Sequence, residues 1–471
     1  MAAHARAAAA AASALLLLLL AAGPASAAPA WDGDLTGAER EPTGAGRKLR
    51  QFGCLSKPLI IAHGAVAPTD IRPLLDEAPP LPKIPVTSAQ DVQLVSLVDA
   101  ASCIRTAPRA FGAIVVWDDG SIPDLSAMGA LRSVSGPLVL FGVGGNSSVA
   151  SLDGLANLES AGGLTLAHMN RVRDLSGLGR LSVLAEDMVI WDNNNLTSLC
   201  GLGPVAELYS RLWVDTNPLL TDLTGLDSLS TVFFDVVIRG NPLLRTLDGL
   251  GALRTVGGEV ALINNFNLTS TAGLKSLASI GISLAVLGHP VLEDLAGFSR
   301  LGAVPGDLVI YETSLQSLGE LARVTSVGLS CVIGINPDLE SLEGLASLQS
   351  VGGQLSISYN DRLTDLRGLG SLQAVGRDLF VRKNANLTSL SDLGASLRSV
   401  GAALMGDLVI SDNPNLVDLA GLGAPGGALS EVAGAVVVER NGAGLPQAQT
   451  AALAAAARPR ELTAALPVGG S

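Results

Sequence analysis

The sequence is poor in the residues on which metal, redox and nucleic-acid sites depend. Its 471 residues contain 4 His and 4 Cys, and 30 Lys+Arg stand against 43 Asp+Glu, for a formal charge of -13. An acidic balance argues against a nucleic-acid-binding chain, which normally carries a basic stripe. So few His and Cys leave little material for a zinc site or a disulfide-dense scaffold. We therefore predict no cofactor, no bound metal and no nucleic-acid partner.

Aromatic residues and long apolar runs are scarce too. Phe, Trp and Tyr make up 3% of the chain, so the core has to be aliphatic. Hydrophobic residues nevertheless reach 48%, which excludes wholesale disorder. No stretch after residue 27 approaches the roughly 18 continuous apolar residues of a membrane span. We predict a chain without a membrane span.

The first 27 residues have the pattern of a secretory signal peptide. Residues 15–20 are all Leu, and small residues at Ala25 and Ala27 form an A-x-A site. The alternative is an organellar transit peptide, which would need more Arg and Ser. We expect a secreted, extracellular protein.

Composition divides the rest of the chain. Prolines crowd the segment before residue 88 and predict an irregular lead-in, because proline fixes φ and removes a donor. A rough helical face then runs from near Ser88 to Cys103, and an Ala-rich stretch at 447–457 predicts a helix that caps the last coil. The expected parts are a lead-in at 28–87, a repeat array at 88–440 and an Ala-rich cap or tail at 441–471.

The strongest signal is an internal repeat. The pattern Asn-Pro-x-Leu-x-x-Leu-x-Gly-Leu-x-x-Leu begins at Asn217 and recurs at Asn241 and Asn336. One Leu of each repeat, from Leu152 to Leu390, recurs every 23 or 24 residues, with Thr271 in one slot. A fixed period in the twenties is typical of a solenoid.

Each repeat is interpreted as one coil of an all-β solenoid. A short alternating run predicts a strand, and a second short strand closes the coil. The segment after the Leu cluster is too short for a two-turn helix, so we predict a right-handed parallel β-helix of about 24-residue coils, with a short N-terminal cap helix. Between the strands an Asn recurs at the turn, and stacked coils would join these amides in a ladder. The ladder positions are Asn193, Asn217, Asn241, Asn265, Asn336, Asn360, Asn384, Asn413 and Asn441, and His289 takes one of them.

This coil, with its preceding Gly-x-Leu-x-Ile strand, resembles the receptor L-domain family over roughly residues 88–440. Those domains are the ligand-binding lobes of the insulin and epidermal growth factor receptors and of fungal cell-surface proteins. The resemblance implies an extracellular recognition protein without catalysis. It also implies that a helix ending at Cys103 is pinned by a disulfide to Cys54. The other two cysteines, Cys200 and Cys331, lie six coils apart, so we expect two buried free thiols.

Four sequons mark candidate glycosylation sites at Asn146, Asn195, Asn267 and Asn386. The last three follow a ladder Asn by two residues, so glycans there would line one edge of the solenoid. The alternative is that Asn-Leu-Thr is a by-product of the repeat.

The outward face of the main strands is the candidate ligand site. Three of the four Trp fall on it in a chain poor in aromatics, and Trp and Tyr are the usual anchors of interfaces. Two alternatives are that β-propensity alone puts aromatics on strands, and that the lead-in folds over them. The candidate ligand-binding residues are Trp117, Phe141, Trp191, Trp213, Asp215, Arg239 and Tyr311.

Three functions remain open at this stage. The first is a secreted or cell-surface protein that recognises an extracellular protein or glycan. The second is a structural cell-wall or matrix component, with lateral self-association. The third is a polysaccharide-acting β-helix enzyme, although no acidic cluster is visible on adjacent strands and no catalytic residue can be named.

Overall fold

The computed structural model describes two early strands, residues 109–110, and residues 112–455 except 395, 404, 421 and 423–427. All of these fall in the unit Gly53–Ser471. The chain there is a parallel β-solenoid of about 13 turns with coils of about 24 residues and very little helix, which confirms the predicted fold.

One 16-stranded parallel sheet, the main sheet, runs along the solenoid. Equivalent residues stack in register, so Val214 pairs with Ile190 on one side and Ile238 on the other. In spatial order its strands are Gln93–Val95, Leu59–Ala62, Ile114–Asp118, Leu138–Gly142, Leu164–Ala167, Met188–Trp191, Leu212–Asp215, Val236–Arg239, Val260–Ile263, Leu284–His289, Leu308–Thr313, Cys331–Gly334, Leu355–Ser358, Leu379–Arg382, Leu408–Ser411 and Val436–Glu439.

Two short sheets close the coils. The first contains Arg109–Ala110, Ser133–Val134, Ser160–Ala161, Val183–Leu184, Glu207–Leu208, Thr231–Val232, Thr255–Val256 and Ser279–Ile280. The second contains Ser326–Val327, Ser350–Val351, Ala374–Val375, Ser399–Val400 and Glu431–Val432. Single 3-10 turns lie at Ser126–Met128, Val143–Gly145, Asp153–Leu155, Ser176–Leu178, Ala272–Leu274, Ala296–Phe298, Gly319–Leu321 and Glu343–Leu345, and α-helices at Ser391–Gly394 and Gln447–Ala455.

Alternation along each main strand builds the core. In Leu212–Asp215, for example, Leu212 and Val214 point inward and are fully buried, whereas Trp213 between them points outward. Stacking repeats this pattern in every coil, and the buried side chains form one continuous aliphatic column. Each fully buried Leu or Ile contributes roughly 1.5–3 kcal/mol.

The predicted asparagine ladder is present and buried. The backbone N–H and the side-chain amide of Asn217 both donate to Oδ1 of Asn241, at 2.9 and 3.2 Å. The same amide also donates to the carbonyl of Ile190, in the preceding coil, at 3.0 Å. His289 occupies one rung with Nδ1 3.1 Å from the carbonyl of Asn265. Thr313 takes the next rung and donates its hydroxyl to Oδ1 of Asn336 at 2.7 Å. The ladder therefore links successive coils from Asn193 to Asn265 and again from Thr313 to Asn441.

The residue before each rung adopts a left-handed backbone. Twelve successive coils place a positive φ there, and ten of the twelve residues are not glycine. Ile335 is one of them, with φ of 53°. Such a conformation costs roughly 1–2 kcal/mol in an L-residue. At Asn rungs the side-chain amide can also bond within the turn: that of Asn217 donates to the carbonyl of Asp215 at 3.1 Å.

Both ends of the array depart from a plain coil. The structure forms a strand at Gln93–Val95, where we expected the cap helix to begin, and a strand at Leu59–Ala62 within the lead-in. The helix prediction is wrong at 93–95 because these residues pair with Leu59–Ile61 and so extend the main sheet. At the other end the predicted capping helix is confirmed at Gln447–Ala455, with Leu453 fully buried. Within the described residues no helix is long and apolar enough to cross a membrane.

Candidate binding face

The outward side chains of the main sheet form one surface, here called the outer face. Each strand contributes the second and fourth residues of its four-residue core, for example Trp213 and Asp215 of Leu212–Asp215. The residue just before each strand, such as Arg211, points the same way by alternation. Parallel pairing stacks these positions in straight columns, so residues 24 apart in sequence are neighbours on the outer face.

An aromatic row occupies the first coils of the outer face. Trp117 stacks on Phe141 with ring centroids 5.2 Å apart. Phe141 meets His168 edge-on at 5.1 Å, and His168 meets Trp191 edge-on at 4.4 Å. His168, which was not among the predicted site residues, lies between Phe141 and Trp191, and its Nδ1 lies 2.8 Å from Oδ2 of Asp192.

Two of the predicted anchors are not at the surface. Trp117 is 6% exposed and Phe141 is 7% exposed. The alternative that the lead-in folds over these aromatics applies here, because Leu59–Ala62 of the lead-in pairs with Ile114–Trp117 and places Ala62 beside Trp117. Trp191 and Trp213 are half-buried and therefore accessible.

Asp215 organises the accessible part of the aromatic region. Its carboxylate is 1% exposed, pairs with Nη2 of Arg239 at 2.6 Å and accepts a hydrogen bond from Nε1 of Trp213 at 3.3 Å. The Arg239 guanidinium lies 5.7 Å from the Trp213 ring centroid, within cation–π range. Asp215, predicted to contact a ligand, instead positions two residues that can do so. Removing one partner of such a buried pair is strongly destabilising.

Tyr311 is separate from this group. It lies three coils beyond Arg239 in the same column and is 9% exposed. Its ring covers Gly334 of the next coil, where a Cβ would approach a Tyr311 ring carbon to 3.0 Å. Burial raises the pKa of its hydroxyl to about 12. The structure thus does not bring Tyr311 together with the other predicted anchors.

The last coils of the outer face form a cleft of about 470 Å³. Phe380 and Arg382 lie on one strand of it, and the Arg382 guanidinium stacks 4.0 Å from the Phe380 ring centroid. On its rim Nζ of Lys383 donates to the Tyr359 hydroxyl at 2.6 Å. The outward column in the sequence contains Arg382, but only the coordinates show that these residues enclose a cleft.

Carboxylates stack at the starts of neighbouring main strands, a feature absent from our sequence-based expectation. Asp235 Oδ1 accepts the backbone N–H of Glu259 at 2.9 Å. Burial first, and then the charges of Asp235 and Asp307, raise the pKa of Glu259 to about 7. These carboxylates precede the strands, outside the two columns that flank the inner aliphatic residue, and so were not among the predicted site residues.

All four sequon asparagines are exposed. The hydroxyl of the sequon Thr makes a hydrogen bond to the preceding coil. Thr197, for example, donates to the carbonyl of Arg173 at 3.1 Å. Thr221 makes an equivalent bond to Thr197 without belonging to a sequon. The Thr of Asn-Leu-Thr therefore has a role in stacking the coils, whether or not the Asn carries a glycan.

The cysteines divide into two pairs. Cys54 and Cys103, for which the family resemblance implies a disulfide, lie outside the described residues. Cys331 is a fully buried free thiol, as predicted, and burial raises its pKa to about 12. Cys200 is free but exposed, so the prediction of burial is wrong there. It lies in the wide turn after Leu199, outside the strand pattern that buries Cys331.

Comparisons with known proteins do not add an identity. No model of a known protein family matches the chain, and no curated protein matches it. Within the part of the chain that the structure describes, no three His, Cys, Asp or Glu side chains are grouped so as to hold a metal ion. The fold defines the class of protein, a parallel β-solenoid. The outer face is the surface on which its function depends in the proposal below.

Proposed function

We propose that the chain is a secreted or cell-surface recognition protein that binds an extracellular protein or glycan through the outer face, without catalysis. The observation that carries this proposal is the group formed by Trp213, Asp215 and Arg239. A buried carboxylate fixes a half-buried indole and a guanidinium side by side. Trp and Arg are enriched among residues that dominate binding energy.

The solenoid supports this proposal because it makes the outer face rigid. Trp191 lies one coil from Trp213, on paired strands, and adds a second half-buried indole. The main strands at this point are paired on both sides. A preorganised surface loses little conformational entropy on binding. The resemblance to receptor L-domains points to extracellular recognition as well.

The test is a glycan and protein array screen of the purified chain, followed by binding measurements with single variants. Trp213→Ala should weaken the captured ligand more than tenfold, because truncating an aromatic hot spot costs about 2 kcal/mol or more. Phe266→Ala is the matched control, since Phe266 is 50% exposed and lies in the turn after the ladder Asn265, off the outer face. Equal effects of the two variants would reject the proposed surface.

A structural cell-wall or matrix role is the second candidate, and one observation favours it. Tyr209 and Phe233 stack at 5.1 Å on the side of the first short sheet, and the adjoining Phe234 is 57% exposed. Exposed aromatic patches of this kind mark interaction surfaces. Lateral self-association through them would raise the sedimentation coefficient with concentration, and Phe234→Ser would abolish that rise. A concentration-independent monomer would reject this role.

A polysaccharide-acting enzyme is the third candidate. It is favoured by the Asp235–Glu259 neighbours, because a carboxyl with a pKa of about 7 suits a general acid. Hydrolysis of a polysaccharide by the purified chain, lost in Glu259→Gln, would support it. Persistence of hydrolysis in that variant would remove Glu259 from any mechanism.

A further inference from the structure

The cleft at the C-terminal end of the outer face carries an inference of its own. It is lined by side chains of four adjacent main strands and of the turns that follow them, and we call it the Arg382 cleft. Its volume of about 470 Å³ falls in the range of small-ligand sites. The lining residues used below are Ser356, Ser358, Phe380, Arg382, Lys383 and Ser411.

The Arg382 cleft contains positive charges that are unpaired among the described residues, although the protein as a whole is acidic. Arg440 on its rim is neutralised by Asp412 at 2.6 Å and by Glu439. Arg382 and Lys383, in contrast, form no salt bridge within the described part of the chain. Two adjacent cations without carboxylate partners stand out in a chain with a formal charge of -13. Such a site attracts an anion.

Stacking holds the Arg382 side chain in an orientation that can receive an oxyanion. Its guanidinium stacks on Phe380, and its Nε is buried without any hydrogen-bond acceptor. An unsatisfied buried donor costs roughly 1–3 kcal/mol. A carboxylate or sulfate beside the guanidinium would supply the missing acceptor and would match its fork of donors. Removal of this penalty adds to the free energy of binding.

The remaining lining is suited to a carbohydrate. Ser358 is half-buried and presents a hydroxyl that can donate to and accept from a sugar hydroxyl, and Ser356 and Ser411, 9% and 3% exposed, line the floor of the cleft. Tyr359 on the rim is 38% exposed and offers a ring face close to Lys383. The apolar lining is limited to Phe380 and Val409, so an apolar ligand could bury little of its surface in the cleft.

A peptide strand fits the cleft less well than a sugar. The strands that cross it, such as Leu379–Arg382, are hydrogen-bonded on both sides, so no free strand edge is available for β-strand addition. Beyond them, the last strand of the sheet packs against the helix Gln447–Ala455. Recognition in the cleft therefore depends on side chains alone.

We propose that the Arg382 cleft binds an anionic oligosaccharide, with Arg382 and Lys383 holding a carboxylate or sulfate of the sugar and Ser358 holding one of its hydroxyls. This inference rests on the proposed recognition function and assigns it a ligand class.

Calorimetric titration of the full chain tests the ligand class. The probes are a tetra-galacturonate, a sulfated tetrasaccharide, neutral maltotetraose and tetraglutamate. We expect either anionic tetrasaccharide to bind, more weakly as salt is raised, and the neutral sugar and the peptide to bind at least tenfold more weakly. The two anionic probes separate a carboxylate from a sulfate ligand. Equal binding of maltotetraose or of tetraglutamate, or no binding of either anionic sugar, would overturn the inference.

Variants test the residues. Arg382→Gln should weaken binding of the anionic sugar roughly tenfold to a hundredfold, because a hydrogen bond to a charged group contributes about 1.5–3 kcal/mol. Arg367→Gln is the matched control, since Arg367 lies between the strands Leu355–Ser358 and Leu379–Arg382, is not among the lining residues of the cleft, and pairs with Asp365 at 2.8 Å. If Arg382→Gln lowers the Tm, the exposed Lys383→Gln gives the second measurement, with a several-fold loss expected. An unchanged affinity in both variants would place the ligand elsewhere.

The outcomes separate this inference from the broader proposal. If the anionic sugars fail to bind but an array ligand is lost in Trp213→Ala, the recognition function stands and the cleft assignment falls. If neither the sugars nor any array ligand binds, both fall together.

Discussion

Asn217 and Asn241 lie one coil apart and are joined by two hydrogen bonds to a single oxygen. The backbone N–H and the side-chain amide of Asn217 both donate to Oδ1 of Asn241, at 2.9 and 3.2 Å. Both residues are fully buried. Each rung therefore satisfies buried donors of the preceding coil, and the ladder stabilises the stack and the left-handed turn together.

Loss of one rung should destabilise the array. Asn241→Ala removes the acceptor of Asn217 and the donor to the carbonyl of Val214, and so leaves buried groups unsatisfied. At roughly 1–3 kcal/mol for each such group, we expect a loss of at least about 3 kcal/mol by denaturant unfolding. Asn267→Ala is the control, because Asn267 is exposed two residues beyond a rung, and its effect should stay within about 0.5 kcal/mol. Equal losses would contradict the ladder's role.

His289 should make stability fall in mild acid. Its side chain is fully buried, Nε2 has no partner, and burial lowers its pKa below the usual 6.5. The unfolded chain takes up a proton that the folded chain excludes, so stability is present above about pH 6.5 and decreases as pH falls through that value. His289→Asn should raise the Tm and flatten the pH profile below pH 6.5. A variant with the wild-type slope would assign the effect to other groups.

Glu259 should have the opposite dependence. Its pKa of about 7 in the folded protein exceeds the ordinary 4.5, so the folded chain holds a proton that the unfolded chain releases. The stability from this group is complete below about pH 4.5 and is lost as pH rises through 7. Glu259→Gln should therefore be more stable than the wild type at pH 8 and about equal to it at pH 4, as measured by urea unfolding. Glu340→Gln serves as an exposed control.

Gly344 should not tolerate a side chain. A Cβ there would lie 1.6 Å from the carbonyl oxygen of Leu318 in the preceding coil, and neither backbone can yield without separating the coils. Gly344→Ala should lower the Tm markedly or prevent folding. At Gly302 a Cβ would meet no atom within 4 Å, so Gly302→Ala should leave the Tm unchanged or slightly higher. A tolerated Gly344→Ala would show that the coils are spaced more widely.

The two free thiols of the array should react differently. Cys200 is exposed and Cys331 is fully buried, so a maleimide reagent should modify Cys200 in the native protein and Cys331 only in denaturant. Mass spectrometry of peptides from Cys200→Ser and Cys331→Ser separates the two sites. Modification of Cys331 under native conditions would show that the core opens locally.

The repeat made the fold predictable from the sequence. A period of 24 residues fixes which side chains stack, so the Asn positions, the inward Leu residues and the outward columns could all be assigned before any coordinates. Cys331 was correctly buried for the same reason, since it takes the place of a core aliphatic in Cys331–Gly334.

The site was less predictable because exposure and side-chain pairing are not periodic. Trp117 falls in the same column as Trp191, yet the strand at Leu59–Ala62 makes its environment different. Asp215 and Arg382 lie in that column too, and only their neighbours decide that the carboxylate is paired and the guanidinium free. Cys200 lies in a turn where the repeat has no strict consensus. The prediction that its thiol is buried was therefore wrong.

The ladder runs without a break from Asn193 to Asn265, and this makes the coil an interchangeable unit there. Excision of residues 217–240 would join Thr216 to Asn241, which has the same neighbours in the repeat as Asn217, so every hydrogen bond between the surviving coils could reform. The chain can in this way gain or lose length by whole units, as repeat arrays do when genes duplicate internally. The spacing between Trp213 and the Arg382 cleft would then shrink by one strand separation, about 4.8 Å, and Asp215 would lose its partner Arg239 with the excised unit.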